Sequence, residues 1–290
     1  MTEAEEGEEV VFVTGCTPGG IGHALAVEFA RRKCRVVATA RSLSSLEALR
    51  TNSLVTLHTL ELDVLSERSV EEAVRSVVDM FGRIDILVNN AGVHCVGPLA
   101  ELPMALWQST FDTNVFGTMR VIKAVVPHMA SRRKGKIVNV GSVSALVPSP
   151  WTGAYSSSKA AIHCLSESLR VELNPFGIDV ITVAPGAIKS NLGSNSSAIY
   201  RNLPEWRLYK PFERAIRERV EFSQKPGCTP TDAFANKTVD AALRRKPPPW
   251  FSYGQFSTLA AIMYYFPIWL RDVIARRLFK LSAIENDKEK

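Results

Sequence analysis

Tyr155 and Lys159 stand four residues apart at the start of the run Tyr155-Ser156-Ser157-Ser158-Lys159-Ala160-Ala161-Ile162, whose pattern predicts a helix continuing to about Asn174. Residues i and i+4 share a helix face, so the phenol and the ammonium point the same way. An ammonium beside a phenol favours the phenolate and lowers the tyrosine pKa. A tyrosine tuned in this way can give a proton to a carbonyl oxygen or take one from an alcohol. With six tyrosines and many lysines in the chain, such a pair also arises by chance on a solvated helix face. Its meaning rests on its surroundings.

Several surrounding stretches carry chemistry of their own. The apolar run Val10-Val11-Phe12-Val13 reads as a buried parallel strand and ends in Thr14-Gly15, followed by C-T-P-G-G-I-G over 16–22 and an amphipathic helix over 20–33. Strand, glycine turn and helix is the context in which such glycines let backbone approach a pyrophosphate, which the helix N-terminus then attracts. The second strand, 35–39, runs into Ala40-Arg41-Ser42. A carboxylate there would bind the ribose hydroxyls of NAD; alanine followed by Arg41 suits the 2′-phosphate of NADP. Asn89-Asn90-Ala91-Gly92 closes another strand. Buried asparagines need hydrogen bonds, so these two either clamp neighbouring strands or face a cofactor. Asn114, in the apolar-flanked T-N-V-F-G segment, is a candidate site residue or a satisfied core amide. Ser142 ends a strand 13 residues before Tyr155, placed to touch the same substrate oxygen.

The elements that must position these residues alternate. Helices are expected over 43–50, 67–81, 106–129 and 231–243, and strands over 55–62, 84–88, 136–140, 178–184 and 250–253. This alternation predicts an α/β fold: a doubly wound parallel, Rossmann-type sheet with helices on both faces. The sixth strand runs into Pro185-Gly186-Ala187-Ile188-Lys189-Ser190 at the edge that already receives the glycine turn and Ser142. Residues 1–9 read as an acidic disordered tail, 10–254 as the catalytic domain with 190–230 as a substrate lid, and 255–290 as an apolar and basic helical extension.

Composition narrows the class. A chain of 290 residues, 46% hydrophobic, can bury a large single core. Cys16, Cys34, Cys95, Cys164 and Cys228 are scattered, odd in number and without a C-x-x-C pair, which suggests a reducing compartment and no structural zinc. The histidines are dispersed too, so no metal site is expected. The net charge is +6 despite the N-terminal glutamates. No nucleic-acid-reading motif accompanies it, and an anionic membrane surface or a phosphate-bearing substrate fits better.

Taken together, the glycine loop from Gly15 to Gly22, Asp63, N-N-A-G at 89–92, Asn114, Ser142, Tyr155-x-x-x-Lys159 and the P-G segment at 185 resemble the short-chain dehydrogenase/reductase family over roughly 10–254. The resemblance implies an NADP(H)-dependent oxidoreductase in which Tyr155 is the acid/base and Lys159 lowers its pKa and binds the nicotinamide ribose. It further implies that Ser142 orients the carbonyl and Asn114 holds a water of the proton relay. Cofactor contacts would come from Gly15, Thr17, Gly20, Ile21, Gly22, Arg41, Asp63, Asn90, Ala91, Gly92, Tyr155, Lys159, Pro185, Gly186, Ile188 and Ser190. One departure is visible: four residues, Cys16 to Gly19, separate T-G from the matching Gly20-Ile21-Gly22, where the family usually has three. The loop and the A-T-A-R-S-L-S-S-L segment look closest to a fungal and yeast subgroup containing NADPH-dependent acyl-dihydroxyacetone-phosphate reductases and secondary-metabolite ketoreductases.

The last third carries substrate choice. Residues 200–222 mix aromatic and basic side chains and suggest a helix pair, either a lid or a plain surface pair. Residues 250–270 carry no charge, long enough by count to span a bilayer. Gly254 and Pro267 interrupt the run, so a monotopic helix over 259–266 followed by a basic amphipathic helix over 268–279 is expected. A flap or an oligomer contact would serve as well. The expected activity is NADPH-dependent reduction of a ketone on a lipid-like substrate, with acyl-dihydroxyacetone phosphate the most specific candidate. Alternatives are a polyketide or terpenoid ketoreductase, a steroid or retinoid dehydrogenase, and a catalytically idle NADP-binding scaffold. The expected location is the cytosol or the cytosolic side of a membrane such as the endoplasmic reticulum or a lipid droplet. The partners expected are a hydrophobic carbonyl or alcohol, a lipid surface and a homo-oligomer, with no nucleic acid.

Overall fold

The computed structural model describes residues 8–51, 57–222, 225–279 and 281. Most of the acidic tail and most of 280–290 lie outside the described residues, as does the start of the strand expected from 55. The chain runs β1 (Val10–Val13), α1 (Ile21–Arg31), β2 (Arg35–Ala40), a 3-10 turn (Leu43–Leu46) leading into α2 (Glu47–Arg50), β3 (His58–Glu61), α3 (Glu67–Phe81) and β4 (Ile86–Asn89). Next come α4 (Met104–Phe111), a π-helical segment (Asp112–Gly117), α5 (Thr118–Ser131), β5 (Gly135–Val140), α6 (Gly153–Leu173), β6 (Ile178–Pro185) and β7 (Ile188–Lys189). The chain ends with α7 (Leu192–Arg201), α8 (Glu213–Val220), β8 (Thr229–Pro230), α9 (Thr231–Ala242), β9 (Trp250–Tyr253), α10 (Ser257–Tyr264) and α11 (Ile268–Leu278).

Seven parallel strands form one sheet in the order β3-β2-β1-β4-β5-β6-β9. The central strands are apolar throughout because both faces are covered. On one face α1 and α9 close a core around Leu25, Phe29 and Phe234. On the other, Val74 and Val77 of α3, Val121 and Val125 of α5 and Leu169 of α6 cover Phe12, Leu87 and Ile137. Strand β1 pairs with β2 on one side and β4 on the other. That reversal of strand order opens a crevice at the carboxyl ends of the strands, the place where open α/β sheets bind ligands.

Two expectations change. The single helix expected over 106–129 is three pieces, with a π-helical turn from Asp112 to Gly117 holding Asn114. Apolar periodicity does not register a local widening of the turn, which is a feature frequent at functional sites. The aromatic and basic stretch 200–222 is not a continuous helix pair; α7 ends at Arg201, and an irregular segment precedes α8. Among the described residues no helix is long and apolar enough to cross a membrane. The uncharged run is divided among β9, α10 and the start of α11.

Candidate active site

Every site residue expected from the sequence lies at the carboxyl edge of the sheet or in the helix that follows it. At the end of β1 the glycine loop turns sharply. Gly15 has φ +73°, and a Cβ there would press on the Ala91 backbone at 2.7 Å. A Cβ on Gly22 would collide with the Asn90 amide and the Gly15 carbonyl. The four-residue spacing is absorbed in a turn, with Gly20 N–H donating to the Thr17 carbonyl at 3.0 Å. Helix α1 then starts at Ile21 with Gly20 as its N-cap, no side-chain cap and no acidic residue in its first turn. Its leading N–H groups are thus open to an anion, and this cradle fits a dinucleotide pyrophosphate.

The paired asparagines clamp strands. Asn89 Nδ2 donates to Asn139 Oδ1 at 2.9 Å across β4 and β5, and Asn90 Nδ2 donates to the carbonyls of Thr14 and Gly15, each at 3.0 Å. Thr14 Oγ1 accepts from the N–H groups of Asn90 and Ala91. Gly92 follows directly, close to both Asn114 and Lys159. Arg41 is exposed just past β2, with no ion pair among the described residues. Asp63 holds its own turn, accepting from Leu65 N–H at 3.0 Å. Pro185 ends β6, Gly186 N–H donates to the Tyr253 carbonyl, and Ile188 and Ser190 are buried beyond them.

Tyr155 and Lys159 lie in the first two turns of α6, both buried. Lys159 Nζ donates to the Val140 carbonyl at 2.8 Å and sits 5.9 Å from the Tyr155 ring centroid. Burial pulls the Lys159 ammonium down to about 8. The tyrosine departs from expectation: burial pushes the phenol above its usual range, opposed by hydrogen bonding with Ser142 and by the charge of Arg219, not by Lys159. The shared face was legible in the spacing; the depth of burial was not. Ser142 Oγ accepts from Ser144 N–H at 3.1 Å and from Ser144 Oγ at 2.8 Å, which fixes it at the end of β5. Asn114 is a clamp as well. Its Oδ1 accepts from Val93 N–H at 2.8 Å, and its Nδ2 donates to the Val93 carbonyl and to Ser158 Oγ. Its main-chain carbonyl accepts from Thr118 Oγ1 at 2.8 Å.

Four residues not singled out from the sequence join this site. His94 stands edge-on to the Tyr155 ring with centroids 4.5 Å apart. Burial first, then the charges of Arg219 and Lys159, hold its pKa down at about 3, so the imidazole is neutral. His163 Nε2 accepts from Ser142 N–H at 3.3 Å, as its own burial-lowered pKa of about 4 permits. Asn191 ties the segment after β7 to the glycine loop through Thr17 Oγ1 and the Pro18 carbonyl. Arg219 reaches inward from α8. One signal for Arg219 was available. Arg214 and Arg217 pair with Glu218 and Glu213 at i,i+4, whereas Arg219 has no acid three or four positions away and lies between Ile216 and Val220.

The sequence profile described as short chain dehydrogenase matches residues 9–200. The chain is 32% identical over 283 residues to the short-chain dehydrogenase virD of Hypocrea virens, covering 96% of this chain and 95% of that protein. It is 37% identical over 218 residues to the NADPH-dependent 1-acyldihydroxyacetone phosphate reductase of Schizosaccharomyces pombe, covering 73% of this chain and 72% of that one. A crystal structure of a short-chain dehydrogenase from Streptomyces avermitilis superposes with a TM-score of 0.79 at 26% identity, over 96% of this chain and all of its own. With the glycine cradle, the serine, tyrosine and lysine gathered on one sheet edge and these likenesses, the chain belongs to the short-chain dehydrogenase family of oxidoreductases.

Proposed function

We propose that this protein reduces a ketone on a lipid-like substrate to a secondary alcohol, with NADPH supplying the hydride. The observation that carries this reading is the buried Tyr155 phenol, facing Ser142 at the end of β5 and four residues from Lys159 on α6. Tyr155 gives its proton to the substrate oxygen, and Ser142, held by Ser144, fixes that oxygen. Lys159, anchored on the Val140 carbonyl, keeps two N–H donors for ribose hydroxyls. Burial keeps the phenol protonated until a carbonyl arrives, which suits the direction of reduction. Gly15, Thr17, Gly20, Ile21 and Gly22 would hold the pyrophosphate and Arg41 the 2′-phosphate. Asp63, Asn90, Ala91 and Gly92 would line the adenosine side, and Pro185, Gly186, Ile188 and Ser190 the nicotinamide side. Asn114 shapes the site through the Val93 loop.

Among ketones, acyl-dihydroxyacetone phosphate is the most specific candidate, supported by the S. pombe relative. Ketones of secondary metabolism are the second reading, supported by the glycine loop and the A-T-A-R-S-L-S-S-L segment. Purified protein should oxidise NADPH when given acyl-dihydroxyacetone phosphate or polycyclic ketones. Measurable NADPH binding with no turnover of any carbonyl would instead make it a scaffold.

A lipid surface is the proposed location. Helix α11 has no buried residue, and Ile262, Tyr265, Ile268, Trp269 and Leu278 are exposed along α10 and α11, Tyr265 at 85%. Arg271, Arg276 and Arg277 stand beside them, without ion pairs among the described residues, each adding about 1 kcal/mol near anionic headgroups. Leu281, just beyond α11, packs on the aromatic cluster of Trp151 and Trp206, linking this surface to the substrate side. The full chain should float with anionic liposomes, and a Tyr265→Glu/Trp269→Glu variant should not. If both stay in the soluble fraction, the pair of helices is a flap or a contact between copies.

A further inference from the structure

Arg219 differs from every other arginine of α8. Its helix neighbours Ile216 and Val220 are buried, and Arg219, half-buried beside them, directs its guanidinium to Ser149 and Phe222. Nε donates to Ser149 Oγ at a long 3.3 Å, and Cζ lies 4.9 Å over the Phe222 ring. A guanidinium carries five N–H donors, and no carboxylate pairs with this one among the described residues. Its charge reaches both Tyr155 and His94. Partial burial pulls its pKa down to about 10.

The surroundings add positive charge and donors but no paired carboxylate among the described residues. Ser149 Oγ also bonds Thr152 Oγ1 at 2.9 Å, and Thr152 is the N-cap of α6, the helix that carries Tyr155. That helix start has neither an acidic residue in its first turn nor a side-chain cap. Lys159 is a second buried cation without a carboxylate. Trp151 Nε1, two residues from Ser149, is buried with no acceptor among the described residues. A charge held out of water and left unpaired is destabilising. An arrangement of this kind is stable in use when a ligand brings the missing anion.

We propose that Arg219 is the anchor of an anion-binding subsite beside Tyr155, which holds a phosphate or carboxylate attached close to the carbonyl being reduced. This rests on the reading that Tyr155 protonates a ketone. A guanidinium matches either anion with paired N–H donors. A cleft of about 670 Å³ lies between α7 and α8; its rim carries Arg201, Arg217, Glu205, Glu213 and Glu221, and its apolar side, with Leu203, Trp206 and Val220, offers room for the rest of the substrate. In acyl-dihydroxyacetone phosphate the phosphate, and in a β-keto acid the carboxylate, is attached to the carbon next to the ketone. Both are within the reach of one such subsite.

The test compares ketones matched in chain length, using the full-length protein with NADPH. The pairs are dodecanoyl dihydroxyacetone phosphate with its phosphate-free form, and β-ketododecanoate with its methyl ester. The wild type should favour an anionic member in kcat/KM, and the preferred pair identifies phosphate or carboxylate. Arg219→Met should lose about 10- to 100-fold on the anion, as expected for a charge-assisted hydrogen bond. The loss on the neutral member, which reads only the effect of the charge on the Tyr155 phenol, should be about tenfold smaller, and Arg219→Lys should recover part of the anion-specific loss. Equal losses on charged and neutral members, or no preference in the wild type, would overturn the subsite. If no ketone is turned over at all, the reductase reading fails while the subsite is still read by binding. Dodecyl phosphate or dodecanoate should then raise the Tm of the NADP-loaded wild type more than dodecanol does, and this difference should vanish in Arg219→Met. Its absence from the wild type would overturn the subsite independently of activity.

Discussion

Replacing Lys159 by methionine is expected to abolish turnover and, at neutral pH, to make the protein more stable. The side chain is 6% exposed, and burial alone displaces its pKa from 10.5 to about 8. Each tenfold change in a protonation equilibrium is worth about 1.4 kcal/mol, so holding the ammonium there costs roughly 3 kcal/mol near pH 7. Methionine fills a similar volume and gives up the hydrogen bond to the Val140 carbonyl, a loss of about 1 kcal/mol. The net gain is about 2 kcal/mol, a few degrees in Tm for a chain of this size. The pH dependence follows from the lowered pKa. Between about 8 and 10.5 the unfolded chain holds a proton at this lysine that the folded chain does not. The penalty is therefore fully present below about 8 and fades as pH rises towards 10.5. Urea unfolding of both cofactor-free chains, followed by tryptophan fluorescence, reads this directly. The variant should have the higher midpoint at about pH 7, and its advantage should shrink by about pH 10. A variant less stable than the wild type at neutral pH, or a difference that pH does not move, would refute the reasoning.

Three further outcomes are expected. Tyr155→Phe should lower kcat by about 10²–10⁴-fold with NADPH affinity within a few-fold of wild type in a fluorescence titration; retained turnover would remove the tyrosine from the proton step. Arg41→Asp should weaken NADPH at least about tenfold more than NADH, because a charge-assisted hydrogen bond to the 2′-phosphate is lost, and equal losses would detach Arg41 from that phosphate. Gly22→Ala should destabilise by about 1–3 kcal/mol in urea and weaken NADPH binding, since its Cβ meets the Asn90 amide and the Gly15 backbone; a neutral result would mean the loop has slack.

What the sequence makes legible is what local pattern and register control. Helix α3 and strand β9 occupy the expected residues because each has a clear period and clear ends: Ser66 caps α3 and Gly82, at φ +70°, stops it. The glycine loop, Ser142 and the Tyr155–Lys159 pair fall on one sheet edge because parallel strands joined by crossover helices send all their carboxyl ends the same way. The π-helical turn escaped because the residues around Asn114 keep an apolar pattern compatible with an ordinary helix. His94, His163 and Asn191 escaped because their partners Tyr155, Ser142 and Thr17 lie far away in sequence, and no spacing rule links them.

Electrostatics shows the boundary most clearly. Four residues of spacing announce that a lysine stands by a tyrosine, and an ammonium near a phenol should lower its pKa. In the folded chain both groups are buried together, and loss of water raises the tyrosine and lowers the lysine, each towards its neutral form. The same loss acts on Arg219. Three groups thus sit displaced in a direction that favours less charge, and among the described residues no carboxylate is paired with either cation. A bound dinucleotide brings negative phosphates to the glycine loop, and an anionic substrate would bring one more charge beside Tyr155. Below about pH 8 both cations are already charged, so each anion offsets the cost of their burial without a change of protonation.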